Sequence, residues 1–335
     1  MSKISKTLSQ NMALREVDSV EMTSLMDNSL DFLSTIEKEE IMHVRKWVTE
    51  RKGAKWAGEH FRSPVAEHGF SMLIRVFSNS KTHSILYDTG SSPEGITTNA
   101  NRMGIDLSEI DSIVLSHGHY DHSGGLLTMI KAIDKKNLPI IVHEDMLRTR
   151  GSIESDGSVR KLPEFPTEDH VKPAKYLRTK QPHTMADNTI LVTGEIPRKT
   201  GFEQGLPRHM VLIDGQWQPD PLIRDDRAIV LNIRQKGLVV LSGCAHSGII
   251  NTTHYAQQLT GVKQIYAIVG GFHLAGKDCE TRIKPTVEQL KQLNPMIVVP
   301  SHCTGWRAIF TIAKELPKAF VWGSVGNLYR FQTLY

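Results

Sequence analysis

Three imidazoles and a carboxylate fall within six residues, His117-Gly118-His119-Tyr120-Asp121-His122, directly after the short β-branched run Ser112–Leu115. Neutral imidazole and carboxylate are the donors that borderline Zn²⁺ or Fe²⁺ prefers. The small Gly118 lets a loop turn both His117 and His119 toward one ion, and Asp121 and His122 can serve a neighbouring ion. A lone histidine at a strand end is more often a solvated or capping residue. Four donors packed this closely point instead to a metal centre.

The same habit recurs along the chain. Val20–Met26 ends in Asp27-Asn28, and a hairpin of Ser71–Phe77 with His83–Tyr87 ends in Asp88-Thr89-Gly90. A second hairpin, Ala228–Ile233 with Leu238–Leu241, runs into Ser242-Gly243-Cys244-Ala245-His246; Ile265–Val269 runs into Gly270-Gly271-Phe272-His273, and Met296–Val299 into Pro300-Ser301-His302. Short β-branched runs bounded by turn residues read as strands. Between them, Gly125–Ile133 and Glu280–Leu293 have the apolar spacing of helices that pack on a sheet, and Leu33, Ile36, Ile41, Val44, Trp47 and Val48 keep roughly a 3.6 period. Alternating strands and helices predict α/β layers. A single domain is expected over 14–335, with a helix over 31–50 as a candidate lid, a turn-rich insertion over about 144–181, and a flexible N-terminus over 1–13.

Composition narrows the class. Forty basic against thirty-six acidic residues leave a net charge of +4, too small and scattered for the basic stripe that nucleic-acid binding needs. The longest apolar runs, such as Gly237–Leu241, are strand-length and far below the roughly 18 residues of a membrane span. Three widely spaced cysteines, Cys244, Cys279 and Cys303, form no disulfide framework. With no secretory pattern at the N-terminus, the expectation is a cytoplasmic protein acting on a small molecule, with no nucleic-acid or membrane partner, and a homodimer as the commonest assembly.

The His117–His122 segment resembles the HxHxDH signature of the metallo-β-lactamase superfamily, and His83–Gly90 resembles the strand ending in Asp-Thr-Gly that accompanies it. Ala66–Ser71, Thr193–Arg198 with Phe202-Glu203, Leu241–Gly248, Val269–Leu274 and Pro300–Gly305 are similar to the branch named for 7,8-dihydropterin-6-methyl-4-(β-D-ribofuranosyl)aminobenzene-5′-phosphate synthase. The resemblance runs from about Val17 to the end. It implies a four-layer αββα sandwich with an inserted segment, carrying two divalent ions at one edge between its sheets. Zn²⁺ is the expected metal, with Mn²⁺ or Fe²⁺ as alternatives.

The ligands so implied are His117, His119, Asp121, His122 and His302. The middle of the site departs from the common pattern. Where the superfamily has a strand ending in Gly-Asp, whose carboxylate bridges the metals, this chain has Ser242-Gly243-Cys244 with His246 following. His246 is expected to replace the missing histidine, and Cys244 occupies the bridging slot. His273 either ligates or orients substrate. Arg198 is a candidate for holding an anionic group. Asp225-Asp226 read either as site residues or as caps.

The expected activity is metal-dependent hydrolysis of an ester, lactone, thioester, amide or phosphoester, with Asp121 as ligand and proton acceptor. Two readings from other classes share the same residues: an iron-dependent oxidoreductase of the mononuclear dioxygenase type, and a non-hydrolytic pterin-related synthase or ligand-binding protein. Metal identity separates the first of these, and product analysis the second.

Overall fold

The β-branched runs assemble into two sheets whose strands end along a common edge. The computed structural model describes residues 12–78 and 81–333. Among these, the first sheet runs in the order Lys175–Arg178, Pro139–Val142, Ser112–Val114, Lys81–Tyr87, Ser71–Ser78, Ser19–Met26, Leu328–Gln332 and Ile41–Met42. The second runs His183–Met185, Ile190–Val192, Ala228–Ile233, Gly237–Ser242, Ile265–Gly271 and Ile297–Ser301, with Glu16–Val17 paired beside Ala228–Ile233.

Three apolar layers hold these sheets. Met22, Ile74 and Ile85 of the first sheet meet Leu231, Val239 and Val269 of the second in a buried layer between them. Helices Gly95–Met103 and Leu126–Ile133 cover the outer face of the first sheet through Ile96, Met103, Met129 and Ile133. Helices Ile249–Thr260, Ile283–Leu293 and Trp306–Glu315 cover the second through Ile250, Leu290 and Ile312. Each such side chain contributes roughly 1.5–3 kcal/mol on burial. The result is the expected αββα sandwich.

Register places the chemistry. In the second sheet three parallel strands end side by side, with Ser242 opposite Gly270 and Gly271 opposite Ser301. Cys244, His273 and His302 therefore leave the sheet at one edge. In the first sheet Tyr87 lies opposite Val114, so Asp88 and Ser116 emerge together at the same edge. Crevices outside the carboxyl ends of parallel strands are where α/β proteins place ligands.

Two expectations change. The helix predicted over 31–50 is confined to Val44–Lys52. Ile41–Met42 instead pairs as a strand with Leu328–Gln332, so the apparent helical period merged a strand with a helix. Trp47 is buried in the outer layer of the first sheet and donates to Gly326 O at 2.7 Å. The segment predicted as a turn-rich insertion is ordered into strands. Arg150–Ile153 and Val159–Lys161 join His209–Ile213 and Gln216–Pro219 in a separate small sheet, while Lys175–Arg178 extends the first sheet. Within the segment the strands are short, and Val159–Lys161 and Lys175–Arg178 are largely exposed, which is why the sequence shows no periodicity there. Of the N-terminus expected to be flexible over 1–13, residues 1–11 lie outside the described residues; Met12 donates its backbone N–H to Leu259 O at 2.7 Å. No helix among the described residues is long and apolar enough to cross a membrane.

Candidate metal centre

The loop after Ser112–Val114 and the ends of two strands of the second sheet converge into two sets of donors. His117 Nε2 lies 2.9 Å from His119 Nδ1 and 3.1 Å from His246 Nε2. Asp121 Oδ2 lies 3.3 Å from His302 Nε2 and 3.7 Å from His122 Nε2. Within each set the donor atoms lie inside 4.8 Å of one another. Donors on a tetrahedral zinc are about 3.3 Å apart, so both triads have the spacing of a metal-binding site.

Local backbone explains how neighbouring residues face the same way. A Cβ on Gly118 would sit 2.8 Å from Met146 Cα, so only glycine lets the His117–His119 turn press against that backbone. Ala245 occupies the left-handed region at φ 50°, which puts a turn between Cys244 and His246 just beyond the end of Gly237–Ser242. Asp225 accepts from Gly118 N at 2.8 Å, and Asp226 from Ser247 N at 2.8 Å. These two carboxylates thus brace the two ligand-bearing loops, settling the alternatives left open for them. Arg150 forms a buried ion pair with Asp225 at 2.5 Å.

The donors are also oriented. Asp88 Oδ2 accepts from His122 Nδ1 at 2.7 Å and from Ser116 Oγ at 2.7 Å, while Ser116 Oγ lies 2.9 Å from His117 Nδ1. His302 Nδ1 donates to Asn28 Oδ1 at 2.9 Å. With the Nδ1 positions of His117, His122 and His302 engaged, their Nε2 lone pairs point into the centre, as outer hydrogen bonds arrange in metal sites. The Nε2 atoms of His122 and His302 are buried without a hydrogen-bond partner. On the other side, His119 Nε2 lies 3.0 Å from His209 Nε2, and His209 Nδ1 donates to Asp220 O at 2.9 Å. The orphaned Nε2 atoms of His122 and His302, with the outer nitrogens of His117, His122 and His302 engaged, fit a divalent cation; the outer Nδ1 of His246 has no hydrogen-bond partner among the described residues.

Electrostatics agree with that fit. Burial, reinforced by neighbouring imidazoles, pushes His117, His119 and His246 well below the ordinary histidine value, so these rings are neutral donors. Burial works against charge on Asp121, yet His122 and His302 hold its carboxyl well below the usual range. Burial likewise opposes charge on His122, but Asp121 and Asp88 raise it to about 9. Without a cation, these groups form an ion pair that an incoming ion would replace.

The remaining candidates divide. Cys244 Sγ lies 3.2 Å from His273 Nδ1 and 2.9 Å from Cys303 Sγ. His273 lies tilted by 53° against His246 at 4.4 Å between ring centroids, and its donor atom groups with those of Cys244 and His246 within 4.8 Å. Arg198, expected to bind substrate, donates to Leu222 O and lies in the field of Asp226. A cavity of about 270 Å³ opens on His119, His209 and His273 and is rimmed by Arg160, Arg208 and Lys277. A larger cavity of about 610 Å³ lies between residues 31–43 and Pro317–Asn327 and contains no member of the centre. The segment predicted as a lid borders that distant cavity.

Sequence reasoning placed Asn28 and Asp88 at strand ends on the expected site edge without assigning their roles, and it missed His68 and His209 as parts of the site. His68 Nε2 lies 3.4 Å from Asp121 Oδ2, and its ring stacks on His302 at 5.1 Å. Its signal was the Ala66–Ser71 motif; for His209, in the small sheet, the sequence carried none.

Known proteins place this architecture. The metallo-beta-lactamase superfamily model matches residues 65–199. The 7,8-dihydropterin-6-methyl-4-(beta-D-ribofuranosyl)-aminobenzene-5′-phosphate synthase of Methanocaldococcus jannaschii is 31% identical over 286 residues, covering 81% of this chain and 92% of that protein. An uncharacterized protein of the same organism is 32% identical over 270 residues, covering 80% of this chain and 95% of its own length. Among solved structures, Tm1679, described as a metal-dependent hydrolase of the beta-lactamase superfamily, superposes with a TM-score of 0.67 at 24% identity, covering 94% of this chain and all of the other. With the sandwich, the edge site and the full-length relatives in agreement, this chain belongs to the metallo-β-lactamase superfamily, in the branch that includes that synthase.

Proposed function

We propose that this protein is a metal-dependent hydrolase of a small anionic substrate, a phosphoester, ester, lactone, thioester or amide. The observation that carries this is the meeting of two donor triads, His117/His119/His246 and Asp121/His122/His302, beside a cavity rimmed by three basic side chains. Two divalent ions there, zinc by preference, would polarise the scissile group and supply hydroxide near neutral pH. Asp121, held ionised, ligates and accepts the proton of the attacking group. His273 borders both the cavity and Cys244, and it orients the substrate there. Arg160, Arg208 and Lys277 take the anionic end; Arg160 and Arg208 are also paired with Glu154 and Asp278.

His122→Ala and Asp121→Ala should abolish turnover in a screen of phosphoesters, esters and lactones, with the circular dichroism spectrum unchanged. Turnover that survives in either variant would sink the proposal. A second reading, non-hydrolytic synthase chemistry, draws on the name of the M. jannaschii relative. Product analysis separates the two: water-derived oxygen in the product supports hydrolysis, and a condensed product supports the synthase.

A further inference from the structure

The two triads hold one carboxylate donor, Asp121, and five imidazoles, which bind a metal as neutral ligands. Two divalent cations with a single carboxylate and the hydroxide of the proposed reaction still leave net positive charge in a buried place, which a further anion would compensate. The neighbouring carboxylates are otherwise engaged. Asp88 is held by Ser116 and His122, Asp225 by Gly118 and Arg150, and Asp226 by Ser247.

We infer that Cys244 supplies this anion as a thiolate bridging the two ions, an inference that rests on the paired-metal reading above. Its Sγ lies within 4.8 Å of donor atoms of His117 and His122 together, of His246 and His273 together, and of His302 and Cys303 together. It therefore reaches two members of each triad. Cys244 stands two residues beyond the end of Gly237–Ser242, and the left-handed Ala245 separates it from His246. Cys244 donates its S–H to Cys303 Sγ at 2.9 Å, and His273 Nδ1 lies 3.2 Å from the Cys244 sulfur. On metal uptake the Cys244 S–H bond breaks, the sulfur keeps the electron pair and shares it with both ions, and the proton leaves to solvent. No oxidant is involved. A soft bridging donor biases the centre toward zinc, iron or cobalt and away from manganese or magnesium.

Cobalt titration of the metal-free protein tests this. A bridging thiolate predicts an intense near-ultraviolet sulfur-to-cobalt band that grows through both of about two equivalents. The band should vanish in Cys244→Ser and persist in Cys303→Ser. Cys244→Asp restores a carboxylate, so it should bind about two equivalents without the band, which guards against a folding failure in the serine variant. Uptake of about two equivalents by the wild-type protein with no band overturns the thiolate bridge and leaves the paired centre standing. A band complete after the first equivalent overturns the bridging role. No cobalt uptake at all overturns the paired centre itself.

Discussion

At the scale of single residues, His209 shows how the site controls protonation. Its ring accepts from His119 and donates to Asp220 O, and burial, with Arg150 nearby, lowers it from 6.5 to about 4. The unfolded chain therefore takes up this proton before the folded one does. Stability from this residue is full above pH 6.5 and declines as pH falls from 6.5 to about 4. The loss amounts to about 3 kcal/mol. Urea midpoints measured on metal-free protein across this range should fall toward acid, and His209→Gln should flatten the fall. An unchanged slope in His209→Gln would remove His209 from the account. His302 and His122 show the complementary arrangement, in which Asn28 and Asp88 engage Nδ1 and leave Nε2 for an ion.

At the scale of elements, the site depends on strand ends that touch. A Cβ on Gly243 would lie 2.3 Å from Ser116 Oγ and 2.6 Å from Asp88 Oδ2. Gly243→Ala should therefore cost about 1–3 kcal/mol and displace the Asp88–His122 hydrogen bond. Metal content should drop more than thermal stability does; full metal retention would mean that Asp88 does not orient His122. The legible part of the site follows from the same geometry. His117 to His122 could be read in the sequence because the ligands are contiguous, and His302 because it closes an apolar run. The bracing roles of Asp88 and Asp225 and the presence of His209 could not, because they reach the centre through strand register or through the small sheet, and register leaves no local pattern. The 31–50 helix was misread because the buried Ile41, Val44, Trp47 and Val48 keep a helical period across a strand and a helix.

At the scale of the whole molecule, the centre joins the two sheets. His117, His119, Asp121 and His122 follow a strand of the first sheet, and His246 and His302 follow strands of the second. Protein contacts make the same connection: Tyr87 donates to Arg227 O at 2.8 Å and accepts from Gly243 N at 3.1 Å. The buried Arg227 donates across to Leu115 O and Ile141 O at 3.0 and 2.9 Å. Ions shared by both sheets bind the folded state alone, and at a hundredfold excess over Kd they add about 2.7 kcal/mol. Chelation should therefore lower Tm by roughly 5 °C, reversed by zinc. An unchanged Tm in protein shown to be metal-free would mean that the ions do not join the sheets. The central claim, a paired metal centre, is tested most directly by metal content measured by plasma mass spectrometry on protein purified without a metal-binding tag. Wild-type protein should carry about two equivalents of a divalent transition metal, and His122→Ala about one. Metal-free wild-type protein that takes up none on reconstitution, or a His122→Ala variant with undiminished content, would contradict it.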